Sequence, residues 1–215
     1  ETINVIPLFE DLENMINSQD IVWNYLQDKD IEYQRVFLAR SDPAMNYGII
    51  SAVLLNKMAL QRLNILSEKM GVTIYPIVGV GSAPFRGNLR PENVNNVLEE
   101  YPTTHTFTIQ SAFKYDNPPN EVQEAIKKIE NKQKKPAQHI EEIKYLKIIE
   151  KYSQEYQKQI LELAPIINHL AKYIPSRRKR KLHIGLFGYS RNLNGNKLPR
   201  VITFTAALYS VGLPP

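Results

Sequence analysis

The chain has 215 residues, of which 43% are hydrophobic and 23% are charged, so a buried core is feasible and global disorder is excluded. Its net charge of +5 is a mild excess that permits anionic ligands without by itself indicating nucleic acid. Because cysteine is absent, disulfides, cysteine-ligated zinc, iron–sulfur clusters and a thiol nucleophile are excluded.

Five short apolar runs predict β-strands. Each is rich in β-branched or aromatic residues and is bounded by turn-forming or charged residues, which is typical of strands buried in a parallel sheet. In chain order, the predicted strands are residues 3–9, 35–39, 72–80, 104–109 and 182–188.

Helical segments lie between and after these strands. Apolar residues recur in them at helical spacing, and Gly71 stands where a glycine commonly ends a helix. None of the apolar stretches approaches the roughly 20 residues that a membrane helix needs, and the first residues do not resemble a signal peptide. The predicted helices are residues 11–27, 44–70, 92–100, 121–134, 137–163, 165–173 and 199–211.

The alternation of strands and helices predicts parallel strands and an α/β fold. About five βα units fit either an open doubly wound sheet or most of a (β/α)₈ barrel, and a barrel of about 250 residues would be incomplete in this chain. The chain begins without Met in a strand-like run and stops at Pro214-Pro215 after a helical pattern. These ends predict a fragment of a longer polypeptide.

Polar residues with useful chemistry follow each predicted strand. Parallel strands end at one edge of a sheet, which is where α/β enzymes have their active sites. Two carboxylates there suit Mg²⁺ or Mn²⁺, which take oxygen ligands, and arginines suit phosphate or carboxylate groups. The pattern predicts metal-assisted chemistry on a small phosphorylated or carboxylated substrate. In chain order these residues are Glu10, Asp42, Arg86, Gln110 and Arg191.

Purely structural interpretations of these residues remain open. A glutamate after a strand often only complements a helix N-terminus, and Asp42 before Pro43 would be a good N-cap. The four histidines lack metal-ligand spacing, and the serines lack a nucleophile-elbow context. The basic run at 177–181 could contact nucleic acid, although a solvated loop or local anion attraction is the more usual role.

Six longer motifs are spread along the chain. They are PLFEDLENM at 7–15, ARSDPAMNYG at 39–48, FRGNLRP at 85–91, TFTIQSAFKYD at 106–116, GLFGYSR at 185–191 and LPRVITFTAALYSVGLPP at 198–215. These motifs resemble phosphoenolpyruvate carboxylase, most closely its short archaeal-type form. The resemblance covers essentially the whole chain, and it implies a partial TIM barrel of about five βα units with additional helices. It places residues 1–215 in a single catalytic domain and residues 120–163 in a polar helical insertion.

The resemblance also implies an activity. Family members are Mg²⁺- or Mn²⁺-dependent cytoplasmic enzymes, usually homotetramers, that join phosphoenolpyruvate and bicarbonate to give oxaloacetate and phosphate through carboxyphosphate and pyruvate enolate. Neither a membrane nor nucleic acid is an expected partner. Nothing in this chain matches the family's general-base histidine, so we expect these residues alone to be inactive.

Individual residues match the family's site residues by position in the motifs. Glu10 and Asp42 match the metal-binding carboxylates. Arg191 and Arg200 match arginines that hold the phosphate and carboxylate groups of phosphoenolpyruvate. Gln110 matches a substrate-side amide.

The glycine-rich loop departs from the longer bacterial form. Arg86 matches the second arginine of that form's catalytic loop, but the first arginine falls on Val80 here. Met45 and Asn46 replace a Lys-Asp pair, which fits the archaeal type. Three alternatives remain open. The first is another metal-dependent lyase or mutase of phosphoenolpyruvate or pyruvate enolate, the second is a basic nucleic-acid-binding fragment, and the third is a non-catalytic fragment with only a structural or assembly role.

Overall fold

The computed structural model describes residues 4–133, 135–175, 192–193 and 195–213. Within them, four parallel strands form one sheet, and consecutive strands in the chain are neighbours in the sheet. A short antiparallel pair, β5 and β6, lies near the C-terminus. The strands are β1 (Leu8–Phe9), β2 (Tyr33–Ala39), β3 (Thr73–Gly79), β4 (Thr106–Phe107), β5 (Asn192–Leu193) and β6 (Asn196–Lys197).

Helices connect the parallel strands and continue after β4. Two 3₁₀ turns, Pro84–Arg86 and Pro91–Asn93, and one π-helical turn, Ala112–Asp116, lie in the connections. The helices are α1 (Leu12–Ile16), α2 (Ser18–Leu26), α3 (Ser41–Tyr47), α4 (Ile49–Met70), α5 (Val94–Glu100), α6 (Pro119–Glu130), α7 (Glu142–Leu170) and α8 (Val201–Ser210).

The predicted α/β class with parallel strands is confirmed. A doubly wound sheet reverses its strand order at a switch point, whereas the four described parallel strands keep the order β1–β2–β3–β4. In the register, Phe9 pairs with Leu38, Leu38 with Val78, and Val78 with Phe107. The residues that follow these positions therefore leave the sheet at one edge.

The main core lies between the sheet and α4. Val36 and Leu38 of β2 are fully buried, as are Leu55 and Leu63 of α4. By length and composition α4 could cross a membrane, so the expectation that no apolar stretch approaches that length is wrong for this helix. Slightly more than half of the apolar stretch of α4 is buried inside the protein. The helix packs on β2, β3 and α7, as a core helix does.

The first predicted strand is much shorter than expected. Only Leu8–Phe9 pairs with β2, and Val5, Ile6 and Leu8 are exposed. In the described residues β1 has a hydrogen-bonded neighbour, β2, on one side only. The predicted fifth strand at 182–188 and the basic run at 177–181 lie outside the described residues.

Two predicted helices are divided by short breaks. The predicted helix 11–27 divides at Asn17 into α1 and α2, and Arg62 of α4 donates to the carbonyl of Ile16 at the end of α1. The predicted helix 44–70 divides at Gly48, which has φ of +85°. There Tyr156 Oη of α7 donates to the carbonyl of Met45 at 3.0 Å, satisfying a helix-end acceptor.

By contrast, two predicted helices, 137–163 and 165–173, are joined in the single continuous helix α7. Pro165 lies within it on the exposed side, while Ile160, Ala164 and Ile167 are buried. Packing of that apolar stripe keeps the helix continuous although proline removes one backbone hydrogen bond.

Candidate active site

The loop after β3 is closed by its own backbone. The amide of Gly81 donates to the carbonyl of Arg86 at 2.7 Å, and the amide of Leu89 donates to the carbonyl of Gly81 at 2.8 Å. Within the loop, the amide of Asn88 donates to the carbonyl of Ala83 at 2.9 Å. These bonds make the loop a compact unit that presents Arg86 at the carboxyl edge of the sheet.

Arg86 lies beside residues that follow the two strands flanking β3, namely β2 and β4. Its Nε donates to Ser41 Oγ at 3.2 Å, directly after β2. Gln110, which follows β4, donates from Nε2 to the carbonyl of Val80 at 3.1 Å. A Cβ built on Gly81 would lie 3.1 Å from both Arg86 Nε and Gln110 Oε1. Glycine at position 81 therefore allows the predicted arginine and amide to approach each other.

The two predicted metal ligands emerge at the same edge. Glu10 directly follows β1, and Asp42 lies in the first turn of α3, directly after β2. Both residues are half-buried. Because β1 and β2 are neighbours in register, these carboxylates leave adjacent strands on the side of the sheet where Arg86 and Gln110 lie.

Of the other two predicted arginines, Arg191 and Arg200, the structure describes only Arg200. Arg200 is exposed and immediately precedes α8. This helix is anchored beside the loop, because Phe204 stacks on Phe85 with ring centroids 5.6 Å apart. Arg191 lies outside the described residues.

Comparisons with known proteins identify the family of the chain. A family model described as phosphoenolpyruvate carboxylase matches residues 1–215. The chain belongs to the phosphoenolpyruvate carboxylase family.

Curated relatives named phosphoenolpyruvate carboxylase match nearly the whole chain. The relative from Methanospirillum hungatei is 60% identical over 215 residues, and that from Methanothermobacter thermautotrophicus is 59% identical over 215 residues. Each match covers 100% of this chain and 44% of the relative. The relative from Pyrococcus abyssi is 54% identical over 213 residues, which are 99% of this chain and 45% of that protein. The chain therefore spans less than half the length of these carboxylases.

The carboxylate pair fits a hard divalent cation of the kind expected for a phosphoenolpyruvate carboxylase. Among the described residues, no group of three or more Asp, Glu, His or Cys side chains is arranged to hold a metal ion. Mg²⁺ commonly binds one or two carboxylates and completes its coordination with water and substrate oxygens. Two carboxylates, such as those of Glu10 and Asp42, would therefore be enough in number for such a cation.

Arg40 directly follows the second predicted strand, but the sequence pattern assigned it no role of its own. It is 2% exposed, and it donates from Nε to Tyr101 Oη at 3.1 Å and from Nη1 to the carbonyl of Phe85 at 3.2 Å. The two-residue period of β2 could have revealed it, because Val36, Leu38 and Arg40 fall on one buried face.

Burial also changes the ionisation of the residues around Arg40. Burial raises the pKa of Tyr101 to about 12, with the positive charge of Arg40 opposing the rise. Burial likewise raises the pKa of Glu100, and Arg40 again acts in the opposite direction. The Tyr101 hydroxyl thus stays protonated at neutral pH and accepts the Arg40 hydrogen bond as a neutral group.

Gly87 ends the 3₁₀ turn that contains Arg86. It has φ of +96°, and a Cβ there would lie 2.7 Å from Val80 Cγ1. We expect Gly87→Ala to lower the free energy of unfolding by about 2–3 kcal/mol, because left-handed backbone strain and an overpacked contact add. Urea denaturation would measure this loss.

Gly71→Ala is the matched control for that substitution. Gly71 has φ of +69°, but nothing lies within 4 Å of a Cβ built on it. The control should lose only about 1 kcal/mol, from backbone strain alone. Equal losses in the two variants would show that the contact with Val80 carries no cost.

Proposed function

We propose that the full-length protein carboxylates phosphoenolpyruvate with bicarbonate, giving oxaloacetate and phosphate, and that residues 1–215 supply part of its active site. The observation that carries this proposal is the meeting of Arg86, Gln110 and Ser41 at the edge where Glu10 and Asp42 emerge. Guanidinium and amide donors beside two carboxylates suit a substrate that has phosphate and carboxylate groups and accompanies a divalent cation. The name of the relatives supports the same reaction.

The proposal extends to the fold. We infer that the sheet is part of a (β/α)₈ barrel, which the sequential order of its parallel strands supports. Residues 1–215 would then belong to a single catalytic domain, with 120–163 as an insertion in it. The active site would lie at the carboxyl ends of the strands, where enzymes with barrel folds have theirs.

The arginines have the role of binding the substrate's anionic groups. Arg86, Arg191 and Arg200 would hold the phosphate and carboxylate groups through charge-assisted hydrogen bonds, and Gln110 would donate from its amide. Mg²⁺ or Mn²⁺ held by Glu10 and Asp42 would supply Lewis-acid stabilisation of negative charge on the substrate oxygens.

The proposed chemistry has two stages. Attack by a bicarbonate oxygen on phosphorus breaks the P–O bond of phosphoenolpyruvate and gives carboxyphosphate and pyruvate enolate. Carboxyphosphate then releases phosphate and CO₂, and the methylene carbon of the enolate attacks CO₂ to form oxaloacetate. The arginines would stabilise the negative charge as the phosphoryl group moves. Together with positioning of the reactants, such electrostatic stabilisation supplies most of the catalysis of phosphoryl transfer.

Two further properties follow from the family assignment. We propose that the full-length enzyme is a cytoplasmic homotetramer. We also propose that the 215-residue chain alone is inactive, since it includes less than half of the relatives' length and no match to the family's general-base histidine.

The test is an assay of the full-length protein with phosphoenolpyruvate, bicarbonate and Mg²⁺ or Mn²⁺. Oxaloacetate would be followed by its reduction with malate dehydrogenase and NADH, and phosphate would be measured in parallel. We expect equal amounts of both products and no turnover without bicarbonate. Consumption of phosphoenolpyruvate that does not depend on bicarbonate would favour a lyase or mutase instead, and robust turnover by the isolated chain would contradict its proposed inactivity.

A further inference from the structure

Arg40 is a charged side chain at the centre of the packed interior. It is among the largest fully buried side chains of the described residues, at 2% exposure. Burial of a guanidinium is costly unless hydrogen bonds satisfy its donors. Here the Tyr101 hydroxyl and the Phe85 carbonyl accept from it, and both acceptors are neutral. The burial of Arg40 is therefore best explained by the groups that its hydrogen bonds hold in place.

Arg40 takes part in a reciprocal pair of hydrogen bonds. Arg40 Nη1 donates to the carbonyl of Phe85, and Nε of the next residue, Arg86, donates back to Ser41 Oγ, each at 3.2 Å. The adjacent residues 40–41 are thus bonded to the adjacent residues 85–86 in both directions. The end of β2 and the loop after β3 are tied together at the residue beside Arg86.

The stem of Arg40 also packs beneath this loop. A Cβ built on Gly87 would lie 3.4 Å from Arg40 Cγ, so the loop backbone rests on the arginine's methylene groups. Because the loop is closed by its own hydrogen bonds, holding Phe85 and Gly87 fixes the position of the whole loop. Asp42 lies only two residues after Arg40, at the start of α3.

We propose that Arg40 is a positioning residue that holds Arg86 in place relative to Asp42, and so aligns the anion-binding and cation-binding sides of the site. This inference rests on the proposed function, in which Arg86 binds phosphoenolpyruvate and Asp42 binds the cation. Arg40 itself contacts neither substrate nor cation in this scheme. It acts through the Phe85 carbonyl and through the chain that leads to Asp42.

The test uses Arg40→Lys in the full-length protein. Lysine keeps the charge but is a single-point donor, so it cannot reach the Phe85 carbonyl and the Tyr101 hydroxyl in the same way as a planar guanidinium. We expect kcat/KM for phosphoenolpyruvate to fall about 10²-fold, as small misplacements of a binding group do. Tyr101→Phe removes only one acceptor, and we expect a loss of about tenfold in the same direction.

Arg62→Lys is the matched control. Arg62 is half-buried and donates to Glu142 at 2.7 and 3.0 Å, joining α4 to the start of α7. It also donates to a backbone carbonyl, that of Ile16, as Arg40 does to Phe85. We expect this variant to unfold at a lower temperature with kcat/KM unchanged.

Hydrogen exchange tests the same inference without using activity. The amides of Arg86, Asn88 and Leu89 donate within the loop and should be protected in the wild-type protein. We expect them to exchange at least about tenfold faster in Arg40→Lys and at the wild-type rate in Arg62→Lys. If Arg40→Lys does not fold, Tyr101→Phe carries both measurements.

The outcomes separate three cases. Lower stability in Arg40→Lys, with unchanged kcat/KM and unchanged loop exchange, would overturn the inference and leave Arg40 a structural residue. Faster hydrogen exchange of the loop amides with unchanged KM and kcat would overturn the claim that Arg40 aligns Arg86 with Asp42 for the substrate. A wild-type protein that does not carboxylate phosphoenolpyruvate would refute the proposed function, and loop exchange would still decide whether Arg40 fixes the loop.

Discussion

In the full-length protein, Glu10→Gln and Asp42→Asn are each expected to reduce carboxylation by about 10³-fold, the scale of several kcal/mol of lost charge stabilisation. Each replaces a carboxylate that follows one of two neighbouring strands with a neutral amide of the same shape. Titration calorimetry with Mn²⁺ would measure the cause directly. We expect wild-type binding to strengthen with phosphoenolpyruvate and binding by the double variant to be lost.

Asp11→Asn is a suitable control beside Glu10. The Asp11 side chain accepts from the amide of Asn14 at 2.8 Å as the N-cap of α1, and asparagine caps helices about as well. This variant removes one negative charge next to Glu10 without changing the proposed ligands. Mn²⁺ binding and turnover should stay at the wild-type level. Undiminished Mn²⁺ binding in the Glu10 and Asp42 variants would contradict their assignment as ligands.

Arg86→Gln is expected to lower kcat/KM for phosphoenolpyruvate by about 10²–10³-fold, because a fixed donor to the transferring group is lost. The hydrogen bond from Nε to Ser41 Oγ would be lost with it, so the loop would also be less firmly held. Steady-state kinetics with varied phosphoenolpyruvate would measure the loss. A fall in kcat with little change in KM would indicate that Arg86 acts mainly in the transition state.

Arg90→Gln removes the same charge from the same loop region. Arg90 is exposed and pairs with Glu92 at 3.2 Å, with both side chains about half accessible to solvent. Such surface ion pairs contribute little to stability. We expect this variant to keep wild-type kinetics. Equal losses for Arg86→Gln and Arg90→Gln would mean that general positive charge, not the placement of Arg86, is what matters.

Local sequence signals predicted the centre of the sheet better than its edges. The predicted strands 35–39 and 72–80 correspond closely to β2 (Tyr33–Ala39) and β3 (Thr73–Gly79), which are long apolar runs with a neighbour on each side. The predicted strand 104–109 shrinks to the two residues of β4. At the edges of the described sheet, the length of a strand depends on how many of its residues pair with the neighbouring strand. A run of apolar residues in the sequence does not reveal that number.

The helix errors share a different cause. The sequence predicts one continuous helix through Gly48, and it predicts a break before Pro165, where a second helix would begin. In both places a contact distant in sequence decides the outcome. The Tyr156 ring packs against Gly48, where a Cβ would lie 3.2 Å from it, and the buried stripe of α7 keeps the helix whole at Pro165. Local propensity cannot anticipate either contact.

For the candidate site, the strand ends and the buried position of Arg40 were predictable from the sequence, but the hydrogen bonds that Arg40 makes were not. Placing Glu10, Asp42, Arg86 and Gln110 at one edge needs only parallel strands in register. The Arg40 hydrogen bonds depend on how far the loop after β3 folds back over β2, which is a matter of tertiary packing.

Helix α7 has a consequence for how the protein unfolds. Its first half contributes Ile149 to the core between the sheet and α4, and its second half contributes Ile160 and Ile167 to a second core that contains Phe85 and Phe204. The 29 residues of α7 form a helix about 44 Å long that packs in both cores. If either core unfolds, part of α7 is released, and the same helix also packs in the other core. The two cores should therefore behave as one cooperative unit, with a single unfolding transition.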